Sequence, residues 1–82
     1  MRLVSARAYV LIETSVGKTR DVVLALRKIK GMQQVNAVTG PYDVIAVVEG
    51  ADLTAVGNLV TSEIHTAGGI ERTVTCMAVD FT

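Results

Sequence analysis

The chain has 82 residues, eight Lys/Arg against eight Asp/Glu, and so a formal net charge of zero, which gives no global basic signal for nucleic acid. One cysteine excludes an intrachain disulfide, and no apolar run approaches the roughly 18 residues of a membrane helix. Half of the residues are apolar yet only Tyr9, Tyr42 and Phe81 are aromatic. The core is therefore expected to be aliphatic, in one domain over residues 1–82. A chain this short buries roughly 60–65% of the surface its unfolded form exposes. So much aliphatic surface on it points to burial between subunits.

Val4 to Ile12 reads as the first strand. Val4, Ala6, Ala8, Val10 and Ile12 alternate onto one face, and Tyr9 and Leu11 make the middle of the other face apolar as well. Thr14 to Gly17 is a connection. Lys18 to Ile29 is a helix, with Val22, Ala25, Leu26 and Ile29 at the spacing of an apolar stripe. Lys30 and Gly31 end it, Gly31 as the residue beyond the cap.

Met32 to Val38 is the second and least apolar strand, with Gln33, Val35 and Ala37 on one face and Gln34, Asn36 and Val38 on the other. The turn Gly40-Pro41-Tyr42 holds the only proline. Glycine accepts positive φ and proline fixes φ near −65°, so the pair marks a tight link between neighbouring antiparallel strands. The third strand runs from Asp43 to Glu49, and its uncharged run Val44–Val48 reads as buried on both faces. Asp52 is a good N-cap for a helix reaching about His65. Leu53, Val56, Val60 and Ile64 form its buried stripe, and Gly57 is expected to allow close packing on the sheet. After Ala67-Gly68-Gly69, Ile70 to Val79 is the last strand, in which Cys76 is expected to be a small buried hydrophobe.

The order βαββαβ predicts an α+β, ferredoxin-like fold: a four-stranded antiparallel sheet with both helices on one face. Two helices cover only one face, and here the strands are apolar on both. An exposed face of that kind marks an interface, so a homodimer through facing sheets is expected. Charge is also split. Residues 1–40 carry seven Lys/Arg against Glu13 and Asp21, and residues 41–82 carry Arg72 against six acids, a net of +5 and −5. Such a dipolar subunit suits head-to-tail packing of copies, or simply two solvated faces of opposite sign.

Chemistry is sparse. One His, one Cys and no CxxC or HxxxH leave no metal site, and no cofactor motif is present. Gly68-Gly69 follows a helix and precedes a strand, the reverse of a phosphate loop. His65 at a helix end lacks a partner for nucleophilic catalysis and is read as a cation near the carbonyl end of the helix. An enzyme is not expected. No signal-peptide core follows Met1, which fits a cytoplasmic location.

Taken together, Ala8-Tyr9-Val10-Leu11-Ile12, Gly17-Lys18, Ala25-Leu26, Val38-Thr39-Gly40-Pro41-Tyr42-Asp43, Gly69-Ile70 and Thr73-Val74-Thr75 resemble the RAM domain, the ligand-binding domain of Lrp/AsnC (feast/famine) transcription regulators. The resemblance covers nearly the whole chain. It implies dimers through facing sheets, assembled into octamer- or decamer-type rings, with a free amino acid as effector at the contacts between dimers. The site it implies is Gly40, Tyr42 and Asp43 from the turn with Ile70, Thr73 and Thr75 from the last strand. Asp43 suits an α-ammonium group, and the backbone N–H groups of Gly40 and Tyr42 suit a carboxylate. Pro41 departs from turns with a polar residue there and removes one N–H donor. Family members carry a helix-turn-helix before this module. Met1 stands almost on the first strand here, so a stand-alone domain is expected, without specific DNA binding of its own and with full-length Lrp/AsnC regulators as further partners. Two alternatives stay open: an ACT-type amino-acid sensor, whose site would lie near Gly17, and a small dimeric α/β-barrel monooxygenase, which would need a polar cavity where these strands carry Val and Ala.

Overall fold

A computed structural model describes residues 6–79. Alternating apolar residues make β1 (Ala6–Thr14), β2 (Met32–Ala37), β3 (Val44–Gly50) and β4 (Ile70–Met77). Between them lie α1 (Thr19–Leu26) and α2 (Leu53–Leu59), the second continued by a π-helical turn, Val60–Ile64. The strands form one antiparallel sheet in the order β2-β3-β1-β4. This is the expected ferredoxin-like arrangement.

One face of the sheet is closed by helices. Ala8, Val10, Ile12, Val44, Ala46 and Val48 are fully buried there against Val22, Val23 and Leu26 of α1, Val56 of α2, and Val60 and Ile64 of the π turn. Each of the Val, Leu and Ile side chains among them contributes about 1.5–3 kcal/mol by leaving water. Asp52 caps α2, its Oδ1 accepting from the Ala55 N–H at 2.8 Å, a contact worth about 1 kcal/mol. The π turn widens the ladder by one residue, and the His65 N–H donates to the Val60 carbonyl at 2.9 Å. The wider turn carries His65 past the core toward β4.

The other face has no helix. Cross-strand register puts Gln34, Val47, Tyr9 and Cys76 in one row across it, with Asn36, Ile45, Leu11 and Val74 in the next. Two ion pairs frame this apolar centre. Arg7 and Glu49 are direct cross-strand partners at one end, Arg7 Nε donating to Glu49 Oε2 at 2.8 Å. At the other end Arg72 faces Glu13, with Nη1 and Oε2 3.7 Å apart.

Several expectations are corrected. Helix α1 stops at Leu26. The next turn is closed by shorter-range bonds, Lys28 N–H to Ala25 O and Ile29 N–H to Leu26 O, so Gly31 is not a helix cap. It sits at φ +96, and a Cβ there would meet Leu59 Cδ1 at 2.6 Å: it keeps the entry to β2 open for α2. Val23, off the predicted stripe, is buried while Ala25 is exposed. Leu53 is 65% exposed because it starts α2 at the sheet's rim. Gly57 faces open space, so it gives no close approach. Cys76 is exposed in the protomer because it lies on the helix-free face. Gln33 does not alternate with Val35, since the β2 register shifts between Met32 and Gln34. The strand starting at Val4 begins outside the described residues, and β4 ends at Met77 rather than Val79.

At the outer edge of β2, the Arg27 guanidinium donates from Nε (3.2 Å) and Nη2 (2.9 Å) to the Val35 carbonyl. The helix that begins in the core thus ends on the strand it leads into.

Candidate functional site

Antiparallel topology brings the β2–β3 turn, the end of β1 and the start of β4 to one end of the sheet. Gly40 sits in the turn at φ +117, a conformation that excludes most side chains. The turn is closed by the Val38 N–H donating to the Asp43 carbonyl at 2.9 Å. Asp43 then ties the turn to β1 twice. Its N–H donates to the Ile12 carbonyl at 2.9 Å, and its Oδ2 accepts from the Thr14 N–H at 2.8 Å. Oδ1 has no hydrogen-bond partner among the described residues. Tyr42 and Asp43 are half-buried, and Gly40 and Pro41 are exposed.

Across β1 lies β4. Val44, Ile12 and Thr73 stand in one row, which separates β3 from β4 by two strand spacings, roughly 10 Å. Thr73 is half-buried and its Oγ1 lies 2.9 Å from His65 Nε2. Thr75, two residues on, is exposed on the helix side beyond the cover of either helix, while Ile70 packs against the core. The six predicted residues fall into two groups, Gly40-Tyr42-Asp43 and Ile70-Thr73-Thr75, with β1 between them; all but Thr75, which stands opposite Val10 in the middle of the sheet, lie at one end.

The β1–α1 connection completes this end. The Ser15 N–H donates to the Gly69 carbonyl at 2.8 Å, and its hydroxyl to Glu71 Oε2 at 2.6 Å. Thr14 and Thr19 share a hydroxyl contact at 2.7 Å. Sequence reasoning did not find the His65–Thr73 contact. Its only signal would have been the helix length that carries His65 level with β4, and the π turn changes that phase. The imidazole and hydroxyl have no carboxylate to orient them among the described residues, so the pair reads as a hydrogen bond joining helix to strand. The described residues hold no group of three or more His, Cys, Asp or Glu placed for a metal ion, and no described helix is long and apolar enough to cross a membrane.

Among the described residues, three concavities lie elsewhere. One of about 320 Å³ runs along β2 beside Arg27, and one of about 450 Å³ lies between Ile29-Lys30 and α2. The third, about 270 Å³, opens on the helix-free face among Arg7, Tyr9, Gln33, Gln34 and Val47. None is lined by the six predicted residues.

A family model described as the Lrp/AsnC ligand binding domain matches residues 7–81. Among solved structures, the chain is similar to TTHA0845 of Thermus thermophilus, with 31% identity and a TM-score of 0.87 over 94% of this chain and 96% of that one. It is also similar to Escherichia coli AsnC (17% identity, TM-score 0.86, covering 93% of this chain and 52% of that one). A transcriptional regulator of Neisseria meningitidis, solved as a complex with L-Met, matches at 16% identity and a TM-score of 0.81, over 92% of this chain and 50% of that one. The last two share the fold, and this chain spans about half their length. No curated protein sequence matches. The family that matches is the one the sequence resembles, not an ACT-type or monooxygenase family.

Proposed function

The chain belongs to the Lrp/AsnC ligand-binding-domain family, and from that membership we propose that it is a self-associating effector-binding module, not an enzyme, whose ligand is a free amino acid. One observation carries the assembly: the helix-free face of the sheet is apolar at Leu11, Ile45, Val47 and Val74 and framed by two ion pairs. An apolar centre with a charged rim is the anatomy of a protein interface, and two-fold pairing uses one surface twice. We propose the module as one domain over residues 1–82, cytoplasmic, in dimers that build an octamer- or decamer-type ring.

For the ligand we propose the end of the sheet. The Asp43 carboxylate keeps Oδ1 for an α-ammonium group while Oδ2 holds the Thr14 N–H. Gly40 and Tyr42 supply backbone N–H groups, and Ile70, Thr73 and Thr75 face the ligand's side chain. The two groups are separated by β1, and none of the concavities among the described residues lies between them. The proposal therefore places the ligand where a second dimer packs against this end. Mixed assembly with full-length Lrp/AsnC regulators is the route by which the module acts on transcription, with no specific DNA contact of its own.

A thermal-shift screen of the twenty amino acids tests this. A ligand binding only the native assembly at 100 times its Kd stabilises it by about 2.7 kcal/mol. Twenty unchanged midpoints at such concentrations reject the effector reading. A monodisperse monomer in sedimentation equilibrium at micromolar concentration rejects the assembly.

A further inference from the structure

The concavity on the helix-free face is built differently from the end of the sheet. Along a regular strand, Gln33 and Gln34 would point to opposite faces. The register shift in β2 between Met32 and Gln34 removes that alternation, and both residues line one cleft with Arg7, Tyr9 and Val47, as they also line the cleft beside Arg27. Bulges of this kind re-aim side chains and recur beside functional sites. Here Gln33, Gln34, Arg7 and Tyr9 surround about 270 Å³, just below the usual ligand-pocket range of roughly 300–1,000 Å³.

Arg7 is already held in place. Both its Nε and Nη2 donate to one oxygen, Glu49 Oε2. The Glu49 carboxylate first, and the Tyr9 phenol second, raise the guanidinium above its ordinary value, so Arg7 stays charged. A guanidinium has five N–H donors in a planar fork. Glu49 takes two, and the Nη1 side has no hydrogen-bond partner among the described residues. That outer edge matches a carboxylate bidentately. The Tyr9 ring and Val47, cross-strand partners, give an apolar floor, and the two carboxamides offer donors and acceptors to whatever follows the carboxylate.

The geometry points to a second small-molecule site: the Arg7–Tyr9–Gln33–Gln34 cleft binds a small carboxylate that also carries a hydrogen-bonding group, with Glu49 as the residue that positions Arg7. The site is separate from the proposed effector site at the end of the sheet and does not rest on it. Because it opens on the face proposed for self-association, its ligand is enclosed between facing sheets.

Isothermal titration of the full chain with L-glutamine, L-alanine and acetate tests the site. L-Glutamine, with both a carboxylate and a carboxamide, is expected to bind most tightly of the three. Gln33→Ala and Gln34→Ala change side chains that are exposed in the protomer, and each should weaken it by about tenfold, the scale of a lost hydrogen bond to a polar ligand. Arg7→Lys keeps the charge but loses the fork and should weaken all three probes. Asp43→Asn should leave this binding unchanged. Binding lost only in Asp43→Asn overturns the cleft and favours the end of the sheet. Binding lost only in the Gln33 and Gln34 variants supports the cleft and counts against the other site. Stoichiometry halved by each class of variant supports both sites. No heat with any probe up to about 10 mM, well above a 1 mM Kd, overturns the cleft.

Discussion

The two faces of the sheet are made from the same strands and much the same residues, yet they have opposite fates. Val10 and Ile12 are fully buried, while Tyr9 is 39% exposed and Leu11 half-buried. In β3, Val44, Ala46 and Val48 are buried, while Ile45 and Val47 between them are half-buried. Helices account for the whole difference. The first face is satisfied inside the protomer. The second carries apolar side chains that the helices of the protomer do not cover, which is what supports the proposed self-association.

The comparison is broken most directly at its uncovered face. Val47→Lys is expected to abolish self-association, since an unpaired charge buried in an interface costs about 3–5 kcal/mol. In the protomer Val47 is half-buried, so the fold should survive and sedimentation equilibrium should show monomers. A persistent dimer would mean that copies meet elsewhere. Ile12→Ala attacks the covered face. It should lose about 2–5 kcal/mol in urea unfolding, and the loss should not depend on protein concentration. Leu11→Ala, one residue away, sharpens the contrast: its cost should be largest where the assembly forms and should shrink on dilution into the monomer range. Gly31→Ala should cost about 1–3 kcal/mol, because the new methyl meets Leu59 Cδ1 at a positive φ. Equal unfolding midpoints would show that α2 yields there. The smallest structural effect belongs to Asp43→Asn. The carboxamide oxygen still accepts the Thr14 N–H, so stability should fall by less than about 1 kcal/mol. Amino-acid affinity should fall by about 1.5–3 kcal/mol if Asp43 receives an ammonium group, and unchanged affinity would leave Asp43 as a turn tie alone.

Element order and the two-faced apolar pattern were legible because strand period and turn residues are local. The sheet order follows from them through short, right-handed connections. What sequence missed lies where a local pattern meets a neighbour. Gln33 broke the alternation because β2 slips against β3, and slippage is a property of the pair. Leu53 sits on an apolar stripe that outruns the sheet beneath it. Val23 is buried at the flank of α1, where the stripe is wider than i, i+3, i+4 spacing suggests. Gly57 and Gly31 exchanged roles: the helical glycine faces solvent, and the loop glycine sits against a side chain. At the candidate site, the turn and its aspartate were readable from Gly40-Pro41-Tyr42-Asp43. The bond from Thr14 to Asp43 joins residues 29 apart, and no local signal announces it.

Arg27 has a consequence for how copies of the chain can add to one another. A strand at the margin of a sheet is a template on which further strands grow, without limit and without symmetry. The Val35 carbonyl on β2 would be one rung of that template, and the Arg27 fork occupies it. A strand added at that margin would lose one acceptor, whereas the proposed pairing through the broad face ends once two copies have met. A neutral replacement such as Arg27→Met should raise thioflavin-positive aggregation on prolonged incubation while leaving the native assembly unchanged.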